Sequence, residues 1–295
     1  MSWSGCLKVG LRPLAGDRIE YTHVSQPAMP VAVEKACQEG AGQVMSDAAE
    51  TLARCCKPST RLVILSGSGM SAESGIPTFR DAQTGLWSRF RPEDLATPEA
   101  FARDPERVWR WYEHRRDGVR AARPHAGHRA LVDLETRVAR LTIVTQNVDG
   151  LHQRSGSQRV LEQHGNILRS ICSVSRKPIS ETWLSTAEDV PPRSPHASEG
   201  LARPDVVWFG ESLPEHAFHE AVGELNNCDV CIAVGTSALV QPAASLPMIA
   251  REAGAFLAEI NPVPTPLSNH VDVFLREPAG RALTQLLSIM QAMPG

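Results

Sequence analysis

The sequence predicts an α/β fold: a doubly wound, mostly parallel sheet with a smaller lobe inserted into it. Three observations predict it. Short apolar or β-branched runs recur as "RLVIL" (61–65), "RLTIVTQN" (140–147), "DVCIAVGTS" (229–237), "AFLAEIN" (255–261) and "VDVFL" (271–275), and each reads as a buried strand. Helical patterns such as "HAGHRALVDLETRV" and "PAASLPMIAREAG" separate these runs, an alternation that indicates parallel strands covered on both faces. Polar residues gather where the strands end, the edge at which open α/β sheets bind ligands.

The chain has 295 residues, 42% of them hydrophobic, and a formal net charge of −3. That length suits one large domain carrying a smaller insert. Near-balanced charge gives no field for holding nucleic acid. No apolar run approaches the roughly 18 to 20 residues that span a bilayer, so neither nucleic acid nor membrane is an expected partner. The cysteines, at 6, 37, 55, 56, 172, 228 and 231, are odd in number and irregular in spacing. A reducing compartment follows, the cytoplasm first and the mitochondrial matrix as the alternative. Residues 1–40 show no sustained period and lack the apolar centre of a secretory signal. They read as a loosely ordered extension ahead of a main domain at 41–290.

Within that domain "SDAAETLARCC" (46–56) reads as a helix capped by Ser46. The first strand then runs into "SGSGMSAESGIPTFR" (66–80). Gly67, Ser68 and Gly69 allow a tight turn into a helix, whose N-terminus and outward N–H groups suit a phosphate. An ordinary strand–helix turn explains those glycines equally well. Pro77 stops the helix, and Phe79 and Arg80 add an aromatic face and a fixed guanidinium. Next, "TPEAFARDPERVWRWYEHRRDGVR" (97–120) holds two helices, each opened by a capping residue and a proline: Thr97–Pro98 and Asp104–Pro105. Tyr112 and Arg115 share a face there, and a phenol beside a guanidinium suits a carboxylate. An exposed basic face, with Arg116 and Arg120 alongside, is the plainer alternative.

Gln146, Asn147 and Asp149 follow the second strand, where amides and carboxylates also serve simply as turn formers. His164 closes "RVLEQHG"; a lone histidine at a strand end is more often a satisfied structural residue, but its near-neutral pKa also suits general-base work. Residues 166–205 are polar, proline-rich and poorly periodic; with 97–122 they form the expected smaller lobe. "VVWFGE" (206–211) reads as an exposed apolar edge strand to which a peptide adds through its backbone, with a core strand holding Trp208 and Phe209 inside as the alternative. Cys228 and Cys231 have zinc-like spacing but no second pair, and buried strand thiols are the better reading. His125 and His128 lack neighbouring carboxylates or cysteines and merit little metal credence.

"GSGMSAESGIPTFR" resembles the signature of the sirtuins, NAD-dependent protein lysine deacylases. The resemblance continues in order through "TQNVDGLH" (145–152), "LEQHGN" (161–166), "PDVVWFGE" (204–211), "VGTSALVQPA" (234–243) and "INPVPTPLS" (260–268), about residues 60–280 in all. It implies a Rossmann-like sheet with a zinc-ribbon remnant in the lobe, and NAD as cofactor. By resemblance Gly67, Ser68, Gly69, Ala72, Thr78, Phe79, Arg80 and Trp87 hold the pyrophosphate and close over the ribose, with Ser68 where the family usually has alanine. Gln146, Asn147 and Asp149 would face the nicotinamide and its ribose. Gly235, Thr236, Ser237, Asn261, Pro262, Val263 and Ala279 would face the adenosine side.

His164, with Asn147, is implied as catalytic: the acyl oxygen attacks the ribose, nicotinamide leaves, and His164 activates a ribose hydroxyl, yielding free lysine and O-acyl-ADP-ribose. Val207, Phe209, Gly210 and Glu211 would pair with the acylated protein substrate. Tyr112 and Arg115 resemble the branch that removes succinyl, malonyl and glutaryl groups. Most members also carry two C-x-x-C pairs for structural zinc; here they read Cys172/Ser175 and Ser194/Ala197, with His196 nearby. Zinc needs four N or S ligands, so no zinc of the usual kind is expected, and the lobe holds by packing or is floppy. The runner-up is a degenerate member that binds NAD or ADP-ribose without efficient turnover. An NAD-dependent dehydrogenase has only the glycine turn in its favour.

Overall fold

The computed structural model describes residues 47–78 and 92–293. The expectations for residues 1–40 and for Phe79, Arg80 and Trp87 lie outside the described residues. The strands are β1 (Arg61–Ser66), β2 (Arg140–Thr145), β3 (Val160–Glu162), β4 (Gly165–Cys172), β5 (Pro178–Ile179), β6 (Ala202–Val206), β7 (Val230–Val234), β8 (Phe256–Ile260) and β9 (Val273–Leu275). The helices begin with α1 (47–55), α2 (Gly69–Ala72), α3 (Pro92–Leu95), α4 (Pro98–Arg103), α5 (Pro105–Ala121) and α6 (Ala126–Glu135). They continue with α7 (Leu151–Ser155), α8 (Glu181–Ser185), α9 (Glu215–Asn226), α10 (Leu246–Glu252) and α11 (Ala279–Ala292). No helix among the described residues is long and apolar enough to cross a membrane.

The main sheet has six strands in the order β3-β2-β1-β7-β8-β9, every neighbouring pair parallel. Strand β1 shows why these strands read as unbroken apolar runs. Leu62 and Ile64 face a core shared with Leu52, Leu131, Leu134, Leu283 and Leu286. Val63 and Leu65 face the opposite core, with Leu225, Leu246 and Leu257. Both faces are covered, so the alternation of a half-exposed strand is absent. The chain winds outward from β1 to β3 on one side and from β7 to β9 on the other. The order reverses between β1 and β7, which opens a crevice at their carboxyl ends.

The lobe joins α4 and α5 to an antiparallel sheet ordered β5-β4-β6. Both predicted caps form: Thr97 Oγ1 accepts from Ala100 N, and Asp104 Oδ1 from Arg107 N, each at 3.1 Å. Phe101, Trp111, Tyr112, Ile167, Val206 and Trp208 make one core between helix and sheet. Buried Arg116 ties the two, donating to the carbonyls of Ile167 (2.6 Å) and Arg169 (3.0 Å) and to Ser170 Oγ (2.9 Å). The reading of 166–205 as aperiodic misses β4, because its irregular register at Asn166/Ser170 breaks the alternation.

"VVWFGE" is corrected too. β6 is an edge strand among the described residues, but it ends at Val206. Val207–Glu211 then turn, with Gly210 at φ +87°. Trp208 is in the core at 2% exposed, and Phe209 stands out at 42%. The turn consumes most of the N–H groups that a strand would offer: Val207 to His164 O, Phe209 to Ala96 O and Glu211 to Trp208 O.

Candidate active site

The loops after β1 and β7 meet at the crevice. Gly67 N donates to Val234 O (3.0 Å) and Gly69 N to Gly235 O (2.8 Å). A Cβ on Gly67 would lie 2.7 Å from Thr236 Cα, and one on Gly69 2.8 Å from Gly235 Cα. Gly235 itself sits at φ +60° with Met70 N 2.4 Å from its would-be Cβ. These glycines therefore let two backbones touch. Their N–H groups, and those of Met70 and Ser71, are satisfied internally, which corrects the expectation that they face outward. Ser68 is half-buried and its hydroxyl has no described partner; Ala72 is exposed and Thr78 half-buried.

Behind this turn, Ser71 and the loop after β2 form a network that the sequence reading missed. Asn147 Nδ2 donates to Gly67 O and Ser71 Oγ, both at 3.0 Å, and Ser71 Oγ donates to Asp149 Oδ2 at 2.7 Å. The second oxygen of Asp149 accepts from Leu151 N at 2.8 Å, opening α7. Burial raises the Asp149 pKa, and the hydrogen bonds from Leu151 and Ser71 and the Arg154 charge oppose it. Asn147 keeps its Oδ1 as an acceptor without a described partner. Gln146 Nε2 reaches Thr236 Oγ1 at 3.3 Å, and Asn261 Nδ2 donates to Thr236 O at 2.8 Å. The loops after β1, β2, β7 and β8 are thus stitched together. Ser237 is half-buried, Pro262 and Val263 are exposed, and Ala279 is buried at the start of α11. In "INPVPTPLS", Thr265 and Ser268 serve the fold: their hydroxyls donate to the buried Glu259 carboxylate at 2.6 and 2.5 Å.

His164 lies between β3 and β4 with Nδ1 2.9 Å from Gln146 O. A carbonyl only accepts, so Nδ1 carries the proton and Nε2 keeps its lone pair. Burial lowers the His164 pKa, partly offset by the Gln146 carbonyl, so the ring is a neutral base at neutral pH. Its own carbonyl holds Val207 N at 3.0 Å.

One residue on, Trp208 Nε1 donates to Tyr112 Oη at 2.9 Å. The Arg115 guanidinium carbon is 5.5 Å from the Tyr112 ring centre and 4.8 Å from that of Trp111. Burial pulls the Arg115 pKa down, with Tyr112 opposing. No carboxylate or carbonyl among the described residues accepts from Arg115. The alternative, an exposed basic face, holds only in part: Arg116 is 2% exposed and bonded through all three nitrogens, whereas Arg120 is exposed and pairs with Asp117 at 3.3 Å. Glu211 is committed to Arg203, at 2.6 and 2.9 Å.

The four positions of the expected zinc ligands do converge. A Cβ on Gly200 would lie 2.7 Å from Cys172 Sγ, 3.1 Å from Ser194 Cβ and 3.2 Å from Ala197 Cβ, and Ser175 N donates to Cys172 Sγ at 3.4 Å. Two hydroxyls and a methyl beside one thiol do not fit zinc. His196 is turned away, its Nε2 2.7 Å from Pro178 O. Cys228 and Cys231 are buried, and burial raises both pKa values. The site polar groups do fit a dinucleotide: among the described residues the Ser68 hydroxyl and Asn147 Oδ1 have no partner, on loops that Gln146 and Thr236 join.

Comparison with known proteins agrees with this geometry. Residues 67–242 match the Sir2 family. The NAD-dependent protein deacylase 2 of Pyrobaculum aerophilum is 48% identical, over 78% of this chain and 90% of its own length. The NAD-dependent protein deacylase of Thermus thermophilus is 50% identical, over 77% and 89%. A Sir2 homologue solved with NAD superposes with a TM-score of 0.70 at 43% identity, over 78% of this chain and 89% of that one. A Sir2 variant solved with deacetylated p53 peptide and 3′-O-acetyl ADP ribose gives 0.67 at 28% identity, over 77% and 92%. The chain belongs to the Sir2 family, the sirtuins.

Proposed function

We propose that this sirtuin is an NAD-dependent protein lysine deacylase that favours acyl chains ending in a carboxylate: succinyl, malonyl and glutaryl. When bound, NAD supplies the ribose that receives the acyl group as nicotinamide leaves. Around it Ser68, Ala72 and Thr78 with Gly67 and Gly69 border the phosphates, joined by Phe79, Arg80 and Trp87. Gln146, Asn147 and Asp149 orient the nicotinamide end, and Gly235, Thr236, Ser237, Asn261, Pro262, Val263 and Ala279 border the adenosine. His164 takes a proton at Nε2, while Gln146 O holds the opposite side of the ring. Acylated lysines of proteins enter along Val207, Phe209, Gly210 and Glu211, next to the backbone that His164 holds. The lobe needs no zinc for any of these roles.

The observation that carries the acyl preference is the pairing of Tyr112 and Arg115. Two donors share a site, and no acceptor among the described residues takes their protons. An acetyl group leaves both unsatisfied, whereas a terminal carboxylate accepts from both. Arg115→Met tests this. Its kcat/KM for a succinyl-lysine peptide is expected to fall roughly 100-fold or more, with an acetyl-lysine peptide changed by less than about threefold. Equal losses on the two peptides would remove the carboxylate from the reading.

A further inference from the structure

Trp208 follows Val207, whose N–H is held by the His164 carbonyl, and its indole, which reaches Tyr112, is held from several sides. The Arg203 guanidinium carbon stacks 3.3 Å from the ring centre, and Phe101 packs 5.2 Å away on a tilt of 45°. Arg203, 4% exposed, is itself fixed by a forked pair to Glu211 and by a bond to Val206 O at 2.9 Å. Glu211 Oε2 also accepts from the Trp208 backbone N–H at 2.9 Å. An indole so clamped presents its Nε1–H in one direction, toward Tyr112 Oη.

A phenol oxygen has one proton to give and lone pairs to receive. The proton of a phenol lies near the ring plane, on one side of the C–O bond or the other. Once the Trp208 N–H occupies one side, the Tyr112 proton turns to the other. No acceptor among the described residues takes it there, although Tyr112 is only 2% exposed. Burial raises the Tyr112 pKa, so the proton stays on the oxygen at neutral pH.

We infer that Trp208 is a positioning residue for acyl selectivity: its indole N–H fixes the Tyr112 hydroxyl so that the proton points at the terminal carboxylate of the acyl chain beside Arg115. The inference rests on the carboxylate reading of that pair. Hydrogen bonds in such a chain reinforce one another, so a carboxylate that takes the phenol proton makes the phenol oxygen a better acceptor for the indole.

The test compares the wild type, Trp208→Phe, Tyr112→Phe and the double variant in steady-state deacylation of succinyl- and acetyl-lysine peptides. Phenylalanine keeps an aromatic ring against Arg203 and Phe101 while removing the N–H together with part of the ring volume. Trp208→Phe is expected to raise KM for the succinyl peptide about tenfold while kcat stays within about twofold, and to leave acetyl kinetics unchanged. The double variant should be no worse than Tyr112→Phe, because both act on one hydrogen bond. Unchanged succinyl KM, equal losses on both peptides, or additive losses would overturn the role of Trp208.

A second measurement needs no folded Trp208 variant. In 15N-labelled protein, the indole N–H resonance that responds to Tyr112→Phe should shift downfield with succinyl-lysine peptide and stay still with acetyl-lysine peptide. A signal that moves equally with both would count against the inference. If wild type shows no succinyl preference and Arg115→Met changes nothing, the carboxylate reading falls and takes this role with it. If Arg115→Met abolishes a preference that Trp208→Phe retains, only the role of Trp208 falls.

Discussion

His164 shows how one hydrogen bond sets a chemical role. Its Nδ1 proton is spent on Gln146 O, so Nε2 is the basic atom, the tautomer that the proposed general-base role requires. His164→Ala should lower kcat by about 10² to 10⁴ while NAD binding, followed by calorimetry, stays measurable. Because burial holds the ring below its ordinary pKa of 6.5, activity should be complete at neutral pH and decline only as pH falls below that value. A pH–rate profile whose acid limb lies above 6.5 would contradict the assignment. The sequence picked out His164, Tyr112 and Arg115 by motif, but spacing alone did not show how Arg115 and Arg116 differ. Both lie one turn from Tyr112, so helical spacing treats them alike. The difference comes from β4, whose carbonyls at 167 and 169 capture Arg116 and leave Arg115 to the aromatic rings. Ser71 escaped notice for the same reason, since its partners Asn147 and Asp149 lie on a loop distant in sequence.

At the level of elements, strands and caps were legible because their causes are local. Buried runs mark β1, β2, β7 and β8, and Thr-Pro and Asp-Pro pairs mark the starts of α4 and α5. The glycine turn was legible as a turn only, since the need for Gly67 and Gly69 comes from contact with Gly235 across the sheet. Under that turn His125, His128 and His152 pack in a row, with ring centres 4.3 and 5.0 Å apart and the rings inclined at 69° and 56°. His152 Nε2 lies 2.9 Å from Ser66 Oγ, and neither ring nitrogen of His128 has a partner. Burial, and then the charge of neighbouring histidines, drops the pKa of His128 to about 2 and that of His152 to about 4. The unfolded chain takes up these protons near 6.5, before the folded one does. Stability should therefore be complete above that pH and fall on acidification, by up to about 2 kcal/mol per histidine at pH 5. The His152 share stops growing near pH 4. Urea melts at pH 7.5 and 5 check this, and His128→Leu should flatten the slope; equal stability at both pH values would refute it. In the lobe, burial raises the Cys172 pKa, but hydroxyl and N–H donors from Ser175, Ser194 and Val174 outweigh it and bring the thiol to about 7. Purified protein should hold no stoichiometric zinc, whereas Ser175→Cys, Ser194→Cys and Ala197→Cys combined should bind one ion per chain, read by elemental analysis. Zinc in the wild type, or none in the triple variant, would show that Gly200 does not mark a vestigial tetrahedral site.

The whole molecule places its chemistry where two halves of a sheet wind apart. Strands β3-β2-β1 and β7-β8-β9 leave a crevice at their carboxyl ends, and the polar loops there hold one another through Gly67, Gly69, Asn147, Thr236 and Asn261. The alternation of strands and helices made this architecture readable from the sequence. The lobe was harder to read, because its core forms between segments distant in sequence, α5 against β4 and β6, and none of them is periodic enough alone. That joint core holds Tyr112 and Trp208, and Trp208 follows Val207, whose N–H is held by the His164 carbonyl. In the proposed function, a dinucleotide in the crevice, a base at His164 and a carboxylate receptor at Tyr112 and Arg115 act together on one substrate. Nicotinamide release tests this most directly, measured with NAD and succinyl-lysine, acetyl-lysine or unmodified lysine peptides. Release that requires an acylated peptide and is fastest with succinyl-lysine is the predicted result. Tight NAD binding with no release from any peptide, or release indifferent to the peptide, would contradict it.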